Sequence, residues 1–276
     1  MRLAVLSDVH GNVPALEAVL EDLAGWSPDR VVVNGDLVSR GPCSRAVLEL
    51  LDTACPDAVC LHGNHEEYLL RVSDTPPDPG SPTYDIDRFA LWCAAELGEA
   101  RERLRDWRGH LDLEDLEGGA SVHITHGSRL GNRDGISART PDDDLPGKLG
   151  APCDLFIGAH THKPLHRHFN GTLVVNTGSV GQPMDGDVRA AYGRFTLRDG
   201  RWQAEVRRVP YDRQRALRDF EDSGFVEGGG PLAAVIRREL EEARPHLGPW
   251  RRQWLEAVRR GEISVADSLR RYFATL

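Results

Sequence analysis

Three times before residue 66 the chain runs through a short apolar segment, breaks at a small residue beside Asp or Asn, and enters a helix-forming stretch. The apolar runs are residues 3–7, Arg30–Asn34 and residues 57–61. The breaks are Ser7-Asp8-Val9-His10-Gly11-Asn12, Gly35-Asp36-Leu37-Val38-Ser39-Arg40-Gly41 and Gly63-Asn64-His65-Glu66. Apolar runs without alternation suit strands buried on both faces. After the first break, Asn12 can cap a helix, Pro14 suits its first turn, and Leu16, Val19, Leu20 and Leu23 form a stripe at helical spacing. Helices are also expected at about 45–51 and 65–71. A βαβαβα opening implies a parallel sheet with helices on its faces, and its turns fall on the carboxyl edge, where such sheets bind ligands.

The rest of the chain elaborates this start. Residues 73–83 (SDTPPDPGSPT) read as a loop and 85–107 as helical. Together these form either a cap over the sheet edge or a surface excursion. Strands resume at 120–125, 154–158, 173–176, 192–197 and 202–209, the last two joined by a turn at Arg198-Asp199-Gly200, so a mixed or second sheet is expected. Beyond Tyr211 the pattern is helical. The charge runs Arg237-Arg238-Glu239 and Arg251-Arg252 read as solvated faces.

A net charge of −9 argues against a general nucleic-acid binder and requires any phosphate site to have a local positive source. Five cysteines without a CxxC pair read as reduced thiols, and no apolar run approaches the ~18 residues of a membrane span. The N-terminus reads as a core strand and not as a signal peptide, so a cytoplasmic location is expected.

Two further clusters follow later strands: His126-Gly127 and Gly158-Ala159-His160-Thr161-His162. In His160-x-His162 both imidazoles can face one site. The polar residues of all five clusters can therefore converge on one cleft. Asp8 and Asp36 offer hard oxygens, His10, His126, His160 and His162 offer imidazoles, and Asn64 offers a carboxamide. Mixed oxygen and nitrogen donors suit Mn, Fe or Zn. Seven ligands are too many for one small ion and suit two ions sharing a bridging carboxylate. Taken singly, each cluster has a plainer explanation: Asp8 as a helix cap, Gly35-Asp36 as a turn, Asn64 as a cap, His126 as a packed core histidine. Their order and placement at strand ends make coincidence hard to sustain.

The set DxH, GD, GNHE, H and GHxH resembles the calcineurin-like metallophosphoesterase superfamily over about the first 180 residues. The Gly178-Ser179-Val180-Gly181-Gln182-Pro183 segment resembles its small bacterial phosphodiesterase-type branch. Residues 35–42 also resemble the diadenosine-tetraphosphatase and protein-phosphatase branch, in which an acidic residue usually stands at the place of Ser39. Ser7 and Ala159 depart from the family pattern without removing a ligand. The resemblance implies that Asp8, His10 and His162 hold a first metal and Asn64, His126 and His160 a second, with Asp36 bridging. It also places His65 near the leaving group as general acid or transition-state donor, and Arg40, close after Asp36, is expected to contact the substrate phosphate.

The expected fold is a four-layer α/β/β/α sandwich of two mixed sheets, with residues 1–210 as the phosphoesterase domain and 211–276 as a helical extension packed on it. The expected cofactors are two divalent metal ions (Mn, Fe, Zn, Ni or Co, manganese first). The expected activity is hydrolysis of a small nucleotide-like phosphodiester or phosphomonoester by a water that two cations acidify. A dinucleoside polyphosphate hydrolase, a protein phosphatase and a catalytically dead binding scaffold are the alternatives. The scaffold is disfavoured because every ligand and His65 are present. No membrane partner is expected, and self-association is left open.

Overall fold

The computed structural model describes all 276 residues. Along the chain lie β1 (Arg2–Leu6), α1 (Val13–Trp26), β2 (Arg30–Asn34), α2 (Ser44–Ala54), β3 (Val59–Leu61), α3 (Asn64–Asp74), α4 (Tyr84–Leu97), β4 (His110–Leu113), β5 (Val122–Thr125), α5 (Leu145–Leu149), β6 (Leu155–Gly158), β7 (Leu165–Phe169), β8 (Thr172–Asn176), β9 (Ala190–Arg198) and β10 (Arg201–Val209). Five helices follow: α6 (Arg213–Asp222), α7 (Phe225–Gly228), α8 (Pro231–Glu242), α9 (Leu247–Arg259) and α10 (Val265–Phe273).

The strands form two five-stranded sheets, ordered β10-β9-β1-β2-β3 and β4-β5-β6-β8-β7. β1, β2 and β3 run parallel in one sheet, which β9 and β10 extend by antiparallel pairing on one side; β5, β6 and β8 run parallel in the other, with antiparallel β4 and β7 at its two edges. Side-chain alternation sets the layers. Leu3 and Val5 of β1 meet Ile124, Leu155 and Ile157 of the second sheet in a cluster between the sheets. Ala4 and Leu6 turn the other way, under the helices. Phe156 and Val174 face outward from the second sheet against Leu145 and Leu149 of α5. Each such fully buried apolar side chain contributes about 1.5–3 kcal/mol. The result is the four-layer α/β/β/α sandwich that the sequence predicts.

Two edge strands, β4 and β7, were not anticipated. Both are half-polar (HLDL and LHRHF) with alternating exposure, as edge strands with one solvated face should be. Over residues 85–107 only α4 is α-helical, and Gly98–Asp106 continues as a 3-10 helix. The C-terminal helices have no core of their own. Leu232, Ile236, Trp250 and Tyr272 belong to the same cluster as Ala4, Leu6 and Leu16.

Glu239 corrects the reading of its charge run as a solvated face. It is 1% exposed, because it falls on the stripe of α8 that buries Leu232, Val235, Ile236 and Leu240.

Candidate metal centre

All five clusters leave the carboxyl ends of parallel strands: Asp8 and His10 after β1, Asp36 after β2, Asn64 after β3, His126 after β5, and His160 and His162 after β6. The first two loops continue the pairing of their strands, with the Asp8, His10 and Gly11 amides donating to the carbonyls of Gly35, Asp36 and Leu37. Asn34 Nδ2 donates to the Thr125 carbonyl at 2.8 Å, tying the two sheets together beside the site.

The loops require unusual backbone. Asp8, His10, Asp36, Ser39, Arg40, His160 and His162 all have positive φ, between 50° and 67°. Non-glycine residues adopt that region at a cost of about 1–3 kcal/mol each, and do so mainly at functional sites. Gly63 shows why the turns are so tight. A Cβ there would lie 2.1 Å from Asp36 Oδ1 and 2.5 Å from the Asp36 nitrogen. Glu66, fully buried, fastens the same turns by accepting from the amides of Asp36 (2.8 Å), Gly63 (2.8 Å) and Val38 (3.2 Å).

The seven predicted ligands come together. His162 Nε2 lies 3.1 Å and His10 Nε2 3.9 Å from Asp8 Oδ1, and the two imidazole nitrogens are 3.3 Å apart. Ligand atoms of Asp8, His10, Asp36 and His162 all lie within 4.8 Å of one another. Asn64 Oδ1 lies 3.2 Å from His126 Nε2 and 2.7 Å from His160 Nδ1. Asp36 Oδ2 stands between the two sets, 3.6 Å from His10 Nε2 and 3.4 Å from His126 Nε2.

These residues fit cations. Both Asp8 carboxylate oxygens are buried without a hydrogen-bond partner, a costly arrangement for a charged group that nothing else satisfies. The rings are also set correctly. His162 Nδ1 sits 2.6 Å from the Gln182 carbonyl and His126 Nδ1 2.9 Å from the Asn34 carbonyl. A carbonyl only accepts, so each Nδ1 carries the proton and leaves the Nε2 lone pair facing inward, as metal-binding histidines usually do.

Burial holds His10 well below the ordinary imidazole value, and burial together with the charge of His126 lowers His160 to about 4. His126 is the exception. Burial opposes its charge, but the adjacent Asp36 carboxylate raises it to about 10, so in the metal-free chain a proton supplies positive charge at the centre.

His65 donates its backbone N–H to Asp36 Oδ1 at 2.8 Å, and its Nδ1 lies 3.3 Å from Ser39 Oγ. Burial lowers its pKa well below the ordinary value. A hydroxyl at position 39 lacks the charge by which a carboxylate would raise it. Arg40, expected to contact the substrate phosphate, lines the cleft and is held on its other sides. Its guanidinium is ion-paired with Glu239 (2.5 Å) and donates through Nε to Gln182 Oε1 (2.5 Å). Gln182 thus touches both a ligand and Arg40, and its amide donates to the Ile236 carbonyl of α8. Neither Gln182 nor Glu239 stood out as a site residue in the sequence. The signal for Glu239 was its place on the apolar stripe of α8.

Beside the centre lies a cleft of about 610 Å³, lined by His160, by Asn64, His65, Tyr68 and Arg71 of α3, and by residues of α4 and α9. The 73–107 excursion therefore forms a wall of the cleft through Thr83, Ile86 and Phe89. Arg251, exposed like its neighbour Arg252 as the solvated-face reading expects, lines the mouth of this cleft.

Residues 1–176 match the profile of the calcineurin-like phosphoesterase family. An uncharacterized protein of Methanocaldococcus jannaschii is 26% identical over 78% of this chain and 89% of its own length. A protein of Chromohalobacter salexigens named as a symmetrical bis(5'-nucleosyl)-tetraphosphatase is 25% identical over 91% of this chain and 77% of its own. Matches to other proteins of that name cover less than half of the relative. The crystal structure of a metallophosphoesterase from Sphaerobacter thermophilus superposes with a TM-score of 0.67 at 26% identity, covering 88% of this chain and all of that one. No helix is long and apolar enough to cross a membrane. The chain belongs to the calcineurin-like phosphoesterase family of divalent-metal-dependent phosphate-ester hydrolases.

Proposed function

We propose that this chain is a two-metal phosphoesterase acting on a small nucleotide-like phosphate ester. The observation that carries the reading is the position of Asp36 Oδ2 between two complete donor sets, Asp8, His10 and His162 on one side and Asn64, His126 and His160 on the other. Manganese is the first candidate, since the donors mix oxygen and imidazole and include no thiolate. Divalent cations held there would supply an acidified water and neutralise charge building on the phosphate oxygens.

The chain's own residues do the rest. Asn64 would hold its cation through a neutral carboxamide oxygen, which would leave more of the positive charge for the phosphate. His65 lines the cleft next to Asn64 and, neutral in its buried setting, donates a hydrogen bond toward the leaving-group oxygen. Glu66 and Gly63 hold the turns that carry Asp36 and Asn64. Arg40, fixed by Glu239 and Gln182, presents a positioned positive group at the edge of the cleft.

The names of the tetraphosphatase relatives favour a dinucleoside polyphosphate among the candidate substrates. The test is hydrolysis of bis-p-nitrophenyl phosphate and p-nitrophenyl phosphate by metal-stripped protein with each divalent ion restored, beside Asp36→Ala and His65→Ala. Metal-dependent turnover that Asp36→Ala loses, and that His65→Ala lowers less because p-nitrophenolate leaves without a proton, supports the reading. Metal-independent turnover, or full activity in Asp36→Ala, overturns it.

A further inference from the structure

A chain of net charge −9 brings five arginines, Arg40, Arg71, Arg133, Arg251 and Arg259, to the single cleft beside the proposed metal centre. The carboxylate lining that cleft is Asp87, and it is already engaged. It accepts from the Tyr68 hydroxyl and lies 3.5 Å from Arg71, whose guanidinium stacks 4.9 Å above the Tyr68 ring. Arg40 is matched by Glu239 and Arg259 by Glu256. Arg133 and Arg251, which also line the cleft, have no hydrogen bond or ion pair to the protein.

Their proximity is unfavourable in the absence of an anion. Desolvation in the cleft and the charges of Arg40 and Arg133 lower the pKa of Arg251 from the ordinary arginine value. The placement of Arg251 is built in. The buried Glu239 carboxylate that pairs Arg40 also accepts from the backbone amides of His246 (2.5 Å) and Leu247 (2.7 Å), fixing the start of α9 against the site. One turn further along α9 stands Arg251, on the same wall as Leu247, Gly248 and Leu255.

We infer that Arg251 and Arg133, with Arg71 at the rim, form a second anion subsite that takes a further phosphate of a substrate whose scissile phosphate lies at the metal centre. The inference rests on the phosphoesterase reading and adds to it. The substrate class is a phosphate ester carrying at least two phosphates, and the selecting residue comes from the C-terminal helices rather than from the family motifs. An unpaired guanidinium open to the cleft on an exposed helix face is suited to bidentate phosphate contact.

The test uses the full chain loaded with manganese and compares kcat/KM for diadenosine tetraphosphate with kcat/KM for bis-p-nitrophenyl phosphate. Loss of a charge-assisted contact in Arg251→Ala or Arg133→Ala should lower the ratio of the first to the second by about 10- to 100-fold. Arg251→Lys should recover part of that loss. Arg252→Ala, which removes the same charge from the neighbouring residue outside the cleft, should leave the ratio within about twofold, since exposed charges are well screened. A ratio unmoved by both cleft variants, or moved equally by Arg252→Ala, overturns the subsite. If the wild type turns over neither ester with any ion, the phosphoesterase reading falls. Calorimetric titration with inorganic tripolyphosphate then decides the subsite on its own. Binding at least tenfold weaker in Arg251→Ala than in wild type supports it, and equal binding overturns it.

Discussion

Replacing Glu66 with alanine removes the acceptor for three backbone N–H groups at once, those of Asp36, Gly63 and Val38. The carboxylate is fully buried, so nothing on the surface replaces it directly. A buried donor left unsatisfied costs about 1–3 kcal/mol. Three such donors, partly relieved by water filling the space, come to roughly 3–5 kcal/mol. At about 2–4 °C per kcal/mol for a chain of this size, Tm should fall by roughly 6–20 °C. The loss should not be confined to stability, because Asp36 is held at φ 54° by this clamp and Asp36 Oδ2 is the oxygen proposed to be shared between the two cation sites. Metal affinity should therefore drop as well. Glu66→Gln, with one acceptor oxygen and an amide group facing donors, should lie between wild type and alanine. Scanning calorimetry of the metal-free proteins, followed by manganese titration, measures both effects. A fall in Tm under about 3 °C with unchanged metal affinity would refute the clamp argument.

Three other outcomes follow from the same geometry. His65→Ala should keep its full metal content while losing about 10²- to 10⁴-fold in kcat on esters with alkoxide leaving groups, and much less on p-nitrophenyl esters, whose leaving group needs no proton. This is read by metal analysis and a leaving-group series. Glu239→Gln leaves the buried Arg40 guanidinium without its counter-charge and should destabilise the fold by about 3–5 kcal/mol in denaturant unfolding, whereas a merely solvated pair would give under about 1 kcal/mol. The third concerns pH. His126 moves from an ordinary 6.5 to about 10 in the metal-free fold, so its contribution to stability is complete below pH 6.5 and is lost as pH rises through 10. Metal must displace that proton, and apparent metal affinity should rise about tenfold per pH unit within this window. Between pH 7 and 8.5 the metal-free Tm should fall while the metal-induced gain in Tm grows, which calorimetry with and without manganese will show.

The sequence made the ligands legible because each follows a strand whose apolar continuity marks its end, and parallel strands place their carboxyl ends together. Asp8, Asp36 and Asn64 could be placed on one sheet edge from residues 3–64 alone. The left-handed backbone at Asp8, His10, Asp36, His160 and His162 was not legible, since none is glycine and the strain is imposed by loops pairing across the site. β4 and β7 escaped notice because their solvated faces carry His, Asp and Arg, which weakens the alternation signal. The Arg40–Glu239 pair joins residues 199 apart, and no local pattern announces such a contact. Even so, the spacing of Glu239 from Val235 and Ile236 on α8 was a readable sign that this charge points inward. Arg251 was hidden for a related reason, because which face of α9 meets the cleft depends on where Glu239 anchors its first turn.

The central claim is that Asp36 is shared between two cation sites, and metal stoichiometry tests it most directly. Metal-stripped wild type, Asp8→Ala, Asn64→Ala and Asp36→Ala would each be titrated with manganese and their bound metal counted. The account predicts two ions per chain for wild type, one for Asp8→Ala and one for Asn64→Ala, and loss of tight binding at both sites in Asp36→Ala. A wild type that saturates at one ion, or an Asp36→Ala variant that still binds two tightly, would contradict it.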